Sequence, residues 1–301
     1  MAFSPHHRTK RFWFILFAGI LVILAIALGV GLGVGLNQSS SSTSSTPTPS
    51  PTPNETVPTS IWKPTAGTSW QIVLDYPLND TSLNVSVYDI DLFDNPVSTI
   101  ESLHAEGRKA LCYFSAGSYE DWRADADEFT RQDYGKPLDG WDGEWWLNTS
   151  SPNVRRIMTQ RLRLAASKGC DGVDPDNVDG YDNDTGLDLT TSDAIDYLSF
   201  LAQEAHILNL AIGLKNAASI VNNTIGFLEW EVNEQCVQYE ECQAFQPFIS
   251  QNKPVFHIEY PDGEGNNISP ATKNEICGNP TAEGFSTLLK DLDLTDFVEE
   301  C

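Results

Sequence analysis

The sequence contains few basic residues: 18 Lys and Arg stand against 42 Asp and Glu, and the formal net charge is −24. All of the acidic residues but only 15 of the basic ones follow residue 36, which gives that part a formal charge of −27. Nucleic acid and anionic lipid surfaces are repelled by such a field, whereas a cationic partner is attracted. We therefore expect no nucleic-acid partner. The alternative is that the acidity serves solubility alone.

Motifs for metals, nucleotides and serine nucleophiles are also absent. There is no Cys-x-x-Cys pair and the five His are scattered, so no zinc site is predicted. Neither Asp174 nor Asp182 begins an EF-hand frame. No Gly-rich nucleotide loop follows the first predicted strand, and Ser115 is not in a nucleophile elbow. We expect neither a metal nor a cofactor.

Residues 12–36 carry no charge, and at about 1.5 Å per residue they are long enough to cross a ~30 Å hydrocarbon core. Arg8, Lys10 and Arg11 precede this segment, and the next basic residue is Lys63. The positive-inside rule predicts a cytoplasmic tail at 1–11, a transmembrane signal anchor at 12–36 and an extracellular remainder, as in a single-pass type II cell-membrane protein. A cleaved signal peptide is the alternative, and a shed or secreted form of the extracellular part is a further one.

Residues 37–60 are almost entirely Ser, Thr, Pro and Asn, which predicts a disordered Ser/Thr/Pro linker. Eight Asn-x-Ser/Thr sequons and six Cys follow the anchor, as is typical of a secreted glycoprotein with disulfide bonds. Six Cys allow fifteen pairings. The pairings we favour are Cys236–Cys242, because it is local, Cys112–Cys170, because it ties neighbouring strands, and Cys277–Cys301, because these two remain.

Residues 61–301 alternate between strand-like and helix-like segments, which predicts one α/β domain with a (β/α)8 TIM-like barrel. An open doubly wound sheet is the alternative. The predicted strands are Gln71–Tyr76, Val85–Ile90, Ala110–Ser115, Gly172–Asp176, Leu210–Lys215, Phe227–Val232, Val255–Glu259 and Ser286–Leu289. The predicted helices include Pro152–Lys168, Ser192–Leu208 and Ala244–Gln251. The polar and aromatic segment Tyr119–Asn148 is predicted to be an insertion at the active face.

Polar side chains collect where the predicted strands end, and in a parallel barrel these ends meet at one face. The residues at these ends, which form a carboxylate-lined pocket, are Asp75, Tyr76, Asp89, Asp91, Ser115, Gly117, Asp174, Asp176, Lys215, Asn216, Glu234, Glu259 and Tyr260. Any one of these Asp residues alone could instead cap a helix. His257 lies within a strand and is predicted to be packed rather than to act as a base. Trp122, Trp141, Trp145 and Trp146 cluster in the insertion, and flat aromatic rings stack on sugars. Together these features predict a glycoside hydrolase.

The chain resembles the endo-α-1,4-polygalactosaminidases of glycoside hydrolase family 114 over nearly all of residues 61–260. With its anchor and linker it looks like the fungal members, which cleave galactosaminogalactan. The resemblance rests on Trp-Gln-Ile-Val-Leu-Asp-Tyr (70–76), Tyr-Asp-Ile-Asp-Leu-Phe-Asp (88–94), Cys-Tyr-Phe-Ser-Ala-Gly-Ser-Tyr-Glu (112–120), Gly-Cys-Asp-Gly-Val-Asp-Pro-Asp-Asn-Val-Asp-Gly-Tyr (169–181) and Asn-Glu-Gln-Cys-Val-Gln-Tyr-Glu-Glu-Cys (233–242).

The resemblance implies a nucleophile after the fourth strand and an acid/base after the sixth, which are Asp176 and Glu234 here. Asp174 is the competing nucleophile, but it would lie deeper in the barrel. The expected scheme is retaining, and the expected substrate is a cationic galactosamine-containing polysaccharide cleaved by a monomer. The residues that would bind substrate are Asp75, Tyr76, Asp89, Tyr113, Ser115, Asp174, Asn177, Lys215, Asn216, Tyr239 and Trp122. The alternatives are an α-galactosidase or α-N-acetylgalactosaminidase, and a wall-polysaccharide-binding protein without activity.

Overall fold

The computed structural model of the chain describes residues 61–301 except 262 and 264–266. The predicted tail, anchor and linker, at 1–11, 12–36 and 37–60, lie outside these residues. None of the helices that the structure describes combines the length and the apolar character needed to span a membrane.

The central sheet contains eight parallel strands, which lie side by side in the order of the chain, and a short antiparallel ninth strand at one edge. In chain order the strands are β1 Trp70–Val73, β2 Val87–Asp91, β3 Lys109–Ser115, β4 Ser118–Glu120, β5 Tyr134–Pro137, β6 Glu144–Leu147, β7 Gly172–Asp176, β8 Ala211–Lys215, β9 Trp230–Glu234, β10 Val255–Glu259, β11 Ser286–Leu289 and β12 Glu299–Glu300. The order in the sheet is β1-β2-β3-β7-β8-β9-β10-β11-β12. This is an α/β fold of the TIM-barrel type, as predicted.

The first and eighth parallel strands meet through side chains. The indole N–H of Trp70 in β1 donates to the carbonyl of Ser286 in β11 at 2.8 Å, and the Ser286 hydroxyl donates to the carbonyl of Thr68 at 2.8 Å. The sheet therefore curls until its two ends are neighbours, which brings the carboxyl ends of the strands to one face.

Helices cover the outer side of the sheet unevenly. They are α1 Val97–Ala105, α2 Pro152–Lys168, α3 Thr191–Ile207, α4 Val221–Thr224, α5 Gln246–Ser250 and α6 Pro270–Cys277. The two long helices match their predictions to within one residue. Pro152 occupies the first turn of α2, and Gly169 ends it in the left-handed conformation. The connection between β1 and β2 contains no helix, and α4 and α5 are single turns, so the predicted alternation holds better for the strands than for the helices.

Two predicted strands differ from the structure by three residues at one end, whereas the others differ by at most two. The first ends at Val73 rather than Tyr76, so Asp75 and Tyr76 lie in the loop beyond it. The sixth runs over Trp230–Glu234 rather than Phe227–Val232. The reason is Trp230, whose indole fills the space inside the sheet over two glycines: a Cβ atom at Gly172 or Gly213 would lie 2.5 Å or 2.0 Å from it. This tertiary contact determines where the strand begins. The apolar run alone predicted a start three residues earlier in the chain.

The predicted insertion is a small antiparallel sheet in the order β4-β6-β5. It begins just after β3, and the N–H of Leu147 in β6 donates to the carbonyl of Gly117 at 2.8 Å. It therefore lies at the carboxyl ends of the parallel strands.

All three predicted disulfides are confirmed, namely Cys112–Cys170, Cys236–Cys242 and Cys277–Cys301.

Candidate active site

Asp176 is the last residue of β7, and three donors surround its carboxylate. The Tyr113 hydroxyl donates to Oδ2 at 2.8 Å, the backbone N–H of Asn177 donates to Oδ1 at 2.7 Å, and Lys215 Nζ lies 3.1 Å from Oδ1. Burial by itself would raise the pKa of Asp176, but the Lys215 ammonium and these donors outweigh it and hold the pKa below its ordinary value. Asp176 is therefore ionised at neutral and mildly acidic pH.

Glu234 is the last residue of β9, two strands away from Asp176. Lys215 Nζ lies 2.7 Å from Oε2, Asn216 Nδ2 donates to the same oxygen at 3.4 Å, and the Tyr260 hydroxyl donates to Oε1. The Glu234 side chain is 24% exposed, so solvent reaches it. Its backbone is fixed as well, because the Glu234 N–H donates to Asn216 Oδ1 at 2.9 Å.

Lys215, at the end of β8, joins the two carboxylates. Burial disfavours its charge, but Asp176, Glu234 and Asp174 together raise the pKa of Lys215 well above its ordinary value, so the ammonium persists. The Nζ atom bonds to Asp176 Oδ1 at 3.1 Å and to Glu234 Oε2 at 2.7 Å. These two oxygens therefore lie no farther apart than the sum of the two distances, 5.8 Å.

Two further carboxylates lie beneath this pair, inside the sheet. Asp89 and Asp174 are both 0% exposed, and their side chains hydrogen-bond to each other. Burial raises the pKa of Asp174 to about 7, and burial together with Asp174 raises the pKa of Asp89 well above its ordinary value. Two carboxyl groups can share a hydrogen bond only when one of them is protonated, so this lower pair holds at least one proton.

Asp176, Lys215 and Glu234 form the upper layer of the site, above the lower layer of Asp89 and Asp174. The backbone turns sharply just after each of the three. The residues that follow them have positive φ angles: Asn177 (60°), Asn216 (54°) and Gln235 (64°). For residues other than Gly this conformation costs free energy, and it is concentrated at functional sites. The turn after β7 packs tightly on Gly117, where a Cβ atom would lie 1.6 Å from the Asn177 carbonyl oxygen. These turns fix the last side chain of each strand.

Most of the predicted pocket residues come together here. Ser115 Oγ accepts from Asn177 Nδ2 at 2.9 Å and thus supports the turn after β7 rather than the carboxylates themselves. Asp75 is exposed, and Tyr76 accepts a hydrogen bond from the Asp296 N–H at 2.9 Å. Tyr239 is 63% exposed. In the part of the chain that the structure describes, no hydrogen bond or ion pair joins these last three residues to Asp176 or Glu234.

The structure places two further residues near the centre to which the sequence analysis assigned no role. Tyr260 lies at the end of β10 and bonds to Glu234, and burial raises its pKa well above the ordinary value, so it remains a donor. Asp179 follows the turn after β7, and burial and the nearby Asp176 raise its pKa to about 6. Their positions in the chain could have indicated a role in the site, because Asp179 follows the predicted strand Gly172–Asp176 and Tyr260 follows the predicted strand Val255–Glu259.

His257 is packed, as predicted. It is fully buried, with Nδ1 2.9 Å from Thr287 Oγ1 and Nε2 2.8 Å from Glu259 Oε1. It also lies beside Cys236 and Cys242, and these three residues have a spacing that could suit a metal ion. The two sulfur atoms are joined in a disulfide, however, so they are not thiolate ligands.

The comparisons with known proteins agree with this geometry. The family model described as glycoside-hydrolase family GH114 matches residues 51–301. The crystal structure of Aspergillus fumigatus Ega3 in complex with galactosamine is similar, with 54% identity and a TM-score of 0.79, over 81% of this chain and 99% of that one. The glycoside hydrolase domain of PelA from Pseudomonas aeruginosa is similar in fold, with 13% identity and a TM-score of 0.60, over 77% of this chain and 98% of that one. Among curated proteins, none matches the chain. The chain belongs to glycoside hydrolase family GH114.

Proposed function

We propose that this chain is an endo-acting, retaining glycoside hydrolase that cleaves α-1,4-linked galactosamine in a cationic polysaccharide such as galactosaminogalactan. The observation that carries the proposal is the Lys215 ammonium shared by Asp176 and Glu234, which keeps their nearest oxygens within 5.8 Å. Carboxyl groups are about 5–5.5 Å apart in retaining enzymes and roughly 6.5–9.5 Å apart in inverting ones. Membership of the family supports the reaction class, and the galactosamine in the similar Ega3 structure supports the sugar.

In the first step, Asp176 Oδ attacks the anomeric carbon, and the bond from that carbon to the leaving oxygen breaks. Glu234 gives its proton to the leaving oxygen, and a glycosyl ester of Asp176 forms. In the second step, Glu234 removes a proton from water, and the water oxygen replaces Asp176 on the same face of the sugar. The anomeric configuration is retained, and both carboxyl groups return to their starting state.

The surroundings of each carboxylate suit its role in this scheme. Asp176 has the low pKa that a nucleophile needs, because Lys215, Tyr113 and the Asn177 N–H all favour its charged form. Glu234 is reached by solvent, which supplies and accepts its proton. When Asp176 becomes an ester its charge is lost, and the Lys215 ammonium then stays bonded to Glu234, which holds that carboxyl group in place for the second step.

The acidic charge of the chain supports a cationic substrate. Free galactosamine units carry an ammonium group at mildly acidic pH, and N-acetylation removes it. Attraction at long range is screened within about 8 Å at physiological ionic strength, so apparent affinity should fall as salt is added. The deacetylated polymer should therefore be preferred over the fully acetylated one.

We also propose that residues 12–36 anchor the chain in the cell membrane, with a monomeric catalytic domain outside. The uncharged segment and the basic residues before it support this topology. Protease added to intact cells should remove the catalytic domain and leave the first eleven residues protected. If the domain is instead protected, the topology is reversed.

The experiment that tests the function is incubation of the purified full chain with deacetylated and fully N-acetylated α-1,4-galactosamine polymers. Mass spectrometry gives the product sizes, and proton NMR follows the first anomer released. We expect internal cleavage of the deacetylated polymer, initial release of the α-anomer, and weaker activity in high salt. Equal cleavage of both polymers, insensitive to salt, would favour an N-acetylgalactosaminidase. Binding without products would favour a polysaccharide-binding protein.

A further inference from the structure

The structure divides the four Trp residues of the insertion into two pairs. Trp145 packs against Tyr119 and Tyr134, with ring centroids 5.5 Å and 6.0 Å away, and Trp146 is 8% exposed. Trp122 and Trp141 are 42% and 45% exposed. Aromatic rings that pack against other rings or are buried need no function beyond packing, whereas two large exposed rings on one small sheet call for another explanation.

The exposed pair lies at one end of the insertion, which we name the tip and define as residues 121–122 and 138–143. The two segments are joined by a hydrogen bond from the Asp121 N–H to the Gly143 carbonyl at 3.0 Å. Trp122 lies against Gly143, because a Cβ atom there would be only 3.0 Å from the ring. The Trp141 N–H donates to the Leu138 carbonyl at 3.3 Å, which closes the turn.

Buried ion pairs fix the tip to the sheet. Arg123, directly after Trp122, lies 2.7 Å from Asp91 Oδ2 and 2.9 Å from Glu120 Oε2, and all three side chains are at most 7% exposed. Arg161 of α2 pairs with Asp125 at 2.8 Å from the other side. An exposed aromatic surface on such a support is preorganised, so a ligand would not have to order it on binding.

The acidic side chains of the tip indicate that its ligand is positively charged. Asp121, Asp139 and Asp142 are exposed and are close to the two Trp residues in the chain. The Arg123 guanidinium lies 6.0 Å from the Trp122 ring, but its charge is paired with Asp91 and Glu120. Aromatic faces bind sugar rings and also attract cations, and carboxylates pair with ammonium groups. A sugar polymer that carries ammonium groups satisfies both features, whereas a neutral or anionic polysaccharide satisfies only the first or neither.

The tip is also close to the catalytic face. Ser118 Oγ lies 2.5 Å from Ser115 Oγ, which in turn bonds to Asn177 beside Asp176. Trp122 follows Ser118 by four residues, which span at most about 14 Å even when fully extended. A polymer bound at Asp176 and Glu234 can therefore continue onto the tip.

We propose that the tip is an auxiliary binding site for the cationic polysaccharide, outside the catalytic cleft, with Trp122 and Trp141 as stacking surfaces and the three Asp side chains as ammonium partners. The inference rests on the proposed function, because it takes its ligand from that substrate class. The tip would hold units of a long chain beyond those in the cleft, and short oligosaccharides would not reach it.

The test compares the purified full chain with the variants Trp122→Ala/Trp141→Ala and Asp121→Asn/Asp139→Asn/Asp142→Asn. The substrates are long deacetylated galactosamine polymer and the shortest galactosamine oligosaccharide that the unchanged chain cleaves. We expect each variant to raise KM for the polymer about tenfold, with kcat/KM for the oligosaccharide changed less than twofold. The Asp variant should also weaken the salt dependence of polymer binding. Ile207→Ala, which removes a 49% exposed apolar side chain elsewhere, is the matched control and should change neither value.

The two proposals fail in different ways. If the unchanged chain cleaves no galactosamine polymer, the proposed function is wrong. If it cleaves the polymer and the Trp variant has the same KM as the unchanged chain, the tip does not bind substrate. If the variant loses polymer and oligosaccharide activity equally, the tip only supports the cleft, and the inference is likewise overturned.

Discussion

Asp174 and Asp176 lie two residues apart on β7, so their side chains lie on the same face of the strand. The groups around these two side chains are nevertheless different. Asp176, in the upper layer, is 18% exposed and has a low pKa because an ammonium and two hydrogen-bond donors face it. Asp174, in the lower layer, is fully buried beside the carboxyl group of Asp89, and burial raises its pKa to about 7. One residue type therefore supplies an anion at the surface of the site and a proton-bearing group beneath it. The difference comes from the surroundings and not from the side chain.

The difference between the two layers is tested most directly by removing the charge of Asp176 or of Glu234 in the upper layer. Asp176→Asn and Glu234→Gln should each lower kcat by at least ~10³-fold, because each removes a reacting carboxyl group with little change in shape. Turnover of the deacetylated polymer measures the loss, and circular dichroism checks folding. Asp188→Asn, at an exposed position, is the matched control. Near-normal turnover in either variant would move the role to Asp174 or to the buried Glu231.

A smaller loss is expected when the link between the carboxylates is removed. Lys215→Met should lower kcat by about 10²-fold, because a preorganised charged donor is lost. Without the ammonium, burial dominates and the pKa of Asp176 rises, so the acidic limb of the kcat/KM profile should move to higher pH. A pH–rate profile measures both effects. An acidic limb that stays in place would show that Lys215 does not control the charge of Asp176.

The lower layer should affect stability rather than ionisation of the nucleophile. The pKa of Asp174 is about 7 in the fold and near 4 in the unfolded chain, so its destabilising effect is small below pH 4 and grows as pH rises to about 7. Asp174→Asn should therefore stabilise the chain by on the order of 4 kcal/mol at pH 8 and by only about 1 kcal/mol at pH 4.5. Denaturation in urea at both pH values tests this, with Asp188→Asn as control. A gain that is equal at both pH values would contradict it.

The smallest effect on activity is expected when one hydrogen-bond donor to Asp176, the Tyr113 hydroxyl, is removed. Tyr113→Phe removes the hydroxyl that donates to Asp176 Oδ2, and hydrogen bonds to charged groups contribute about 1.5–3 kcal/mol. Because Lys215 remains, we expect kcat/KM to fall about tenfold and the acidic limb to shift less than in Lys215→Met. A shift larger than that of the Lys215 variant would make the hydroxyl the main control of the Asp176 charge.

Local patterns were enough to predict several elements of the domain. Gly172–Asp176, Val255–Glu259 and Pro152–Lys168 match their predicted bounds, because apolar runs, Pro at a helix start and Gly at its end act over short distances. The local disulfide Cys236–Cys242 follows from spacing in the same way. The strand ending at Glu234 was misplaced, because its start depends on the packing of Trp230 inside the sheet.

The sequence by itself determined where most of the parallel strands end, the acidity of the chain and the family resemblance, since these follow from composition and from local order. Only the tertiary structure decided how those residues are used. Lys215 bridges Asp176 and Glu234, Tyr260 bonds to Glu234, and Asp174 lies buried below, because the curl of the sheet sets distances between residues far apart in the chain. The pKa of a carboxyl group depends on those distances and on burial, and neither is written in the neighbouring residues.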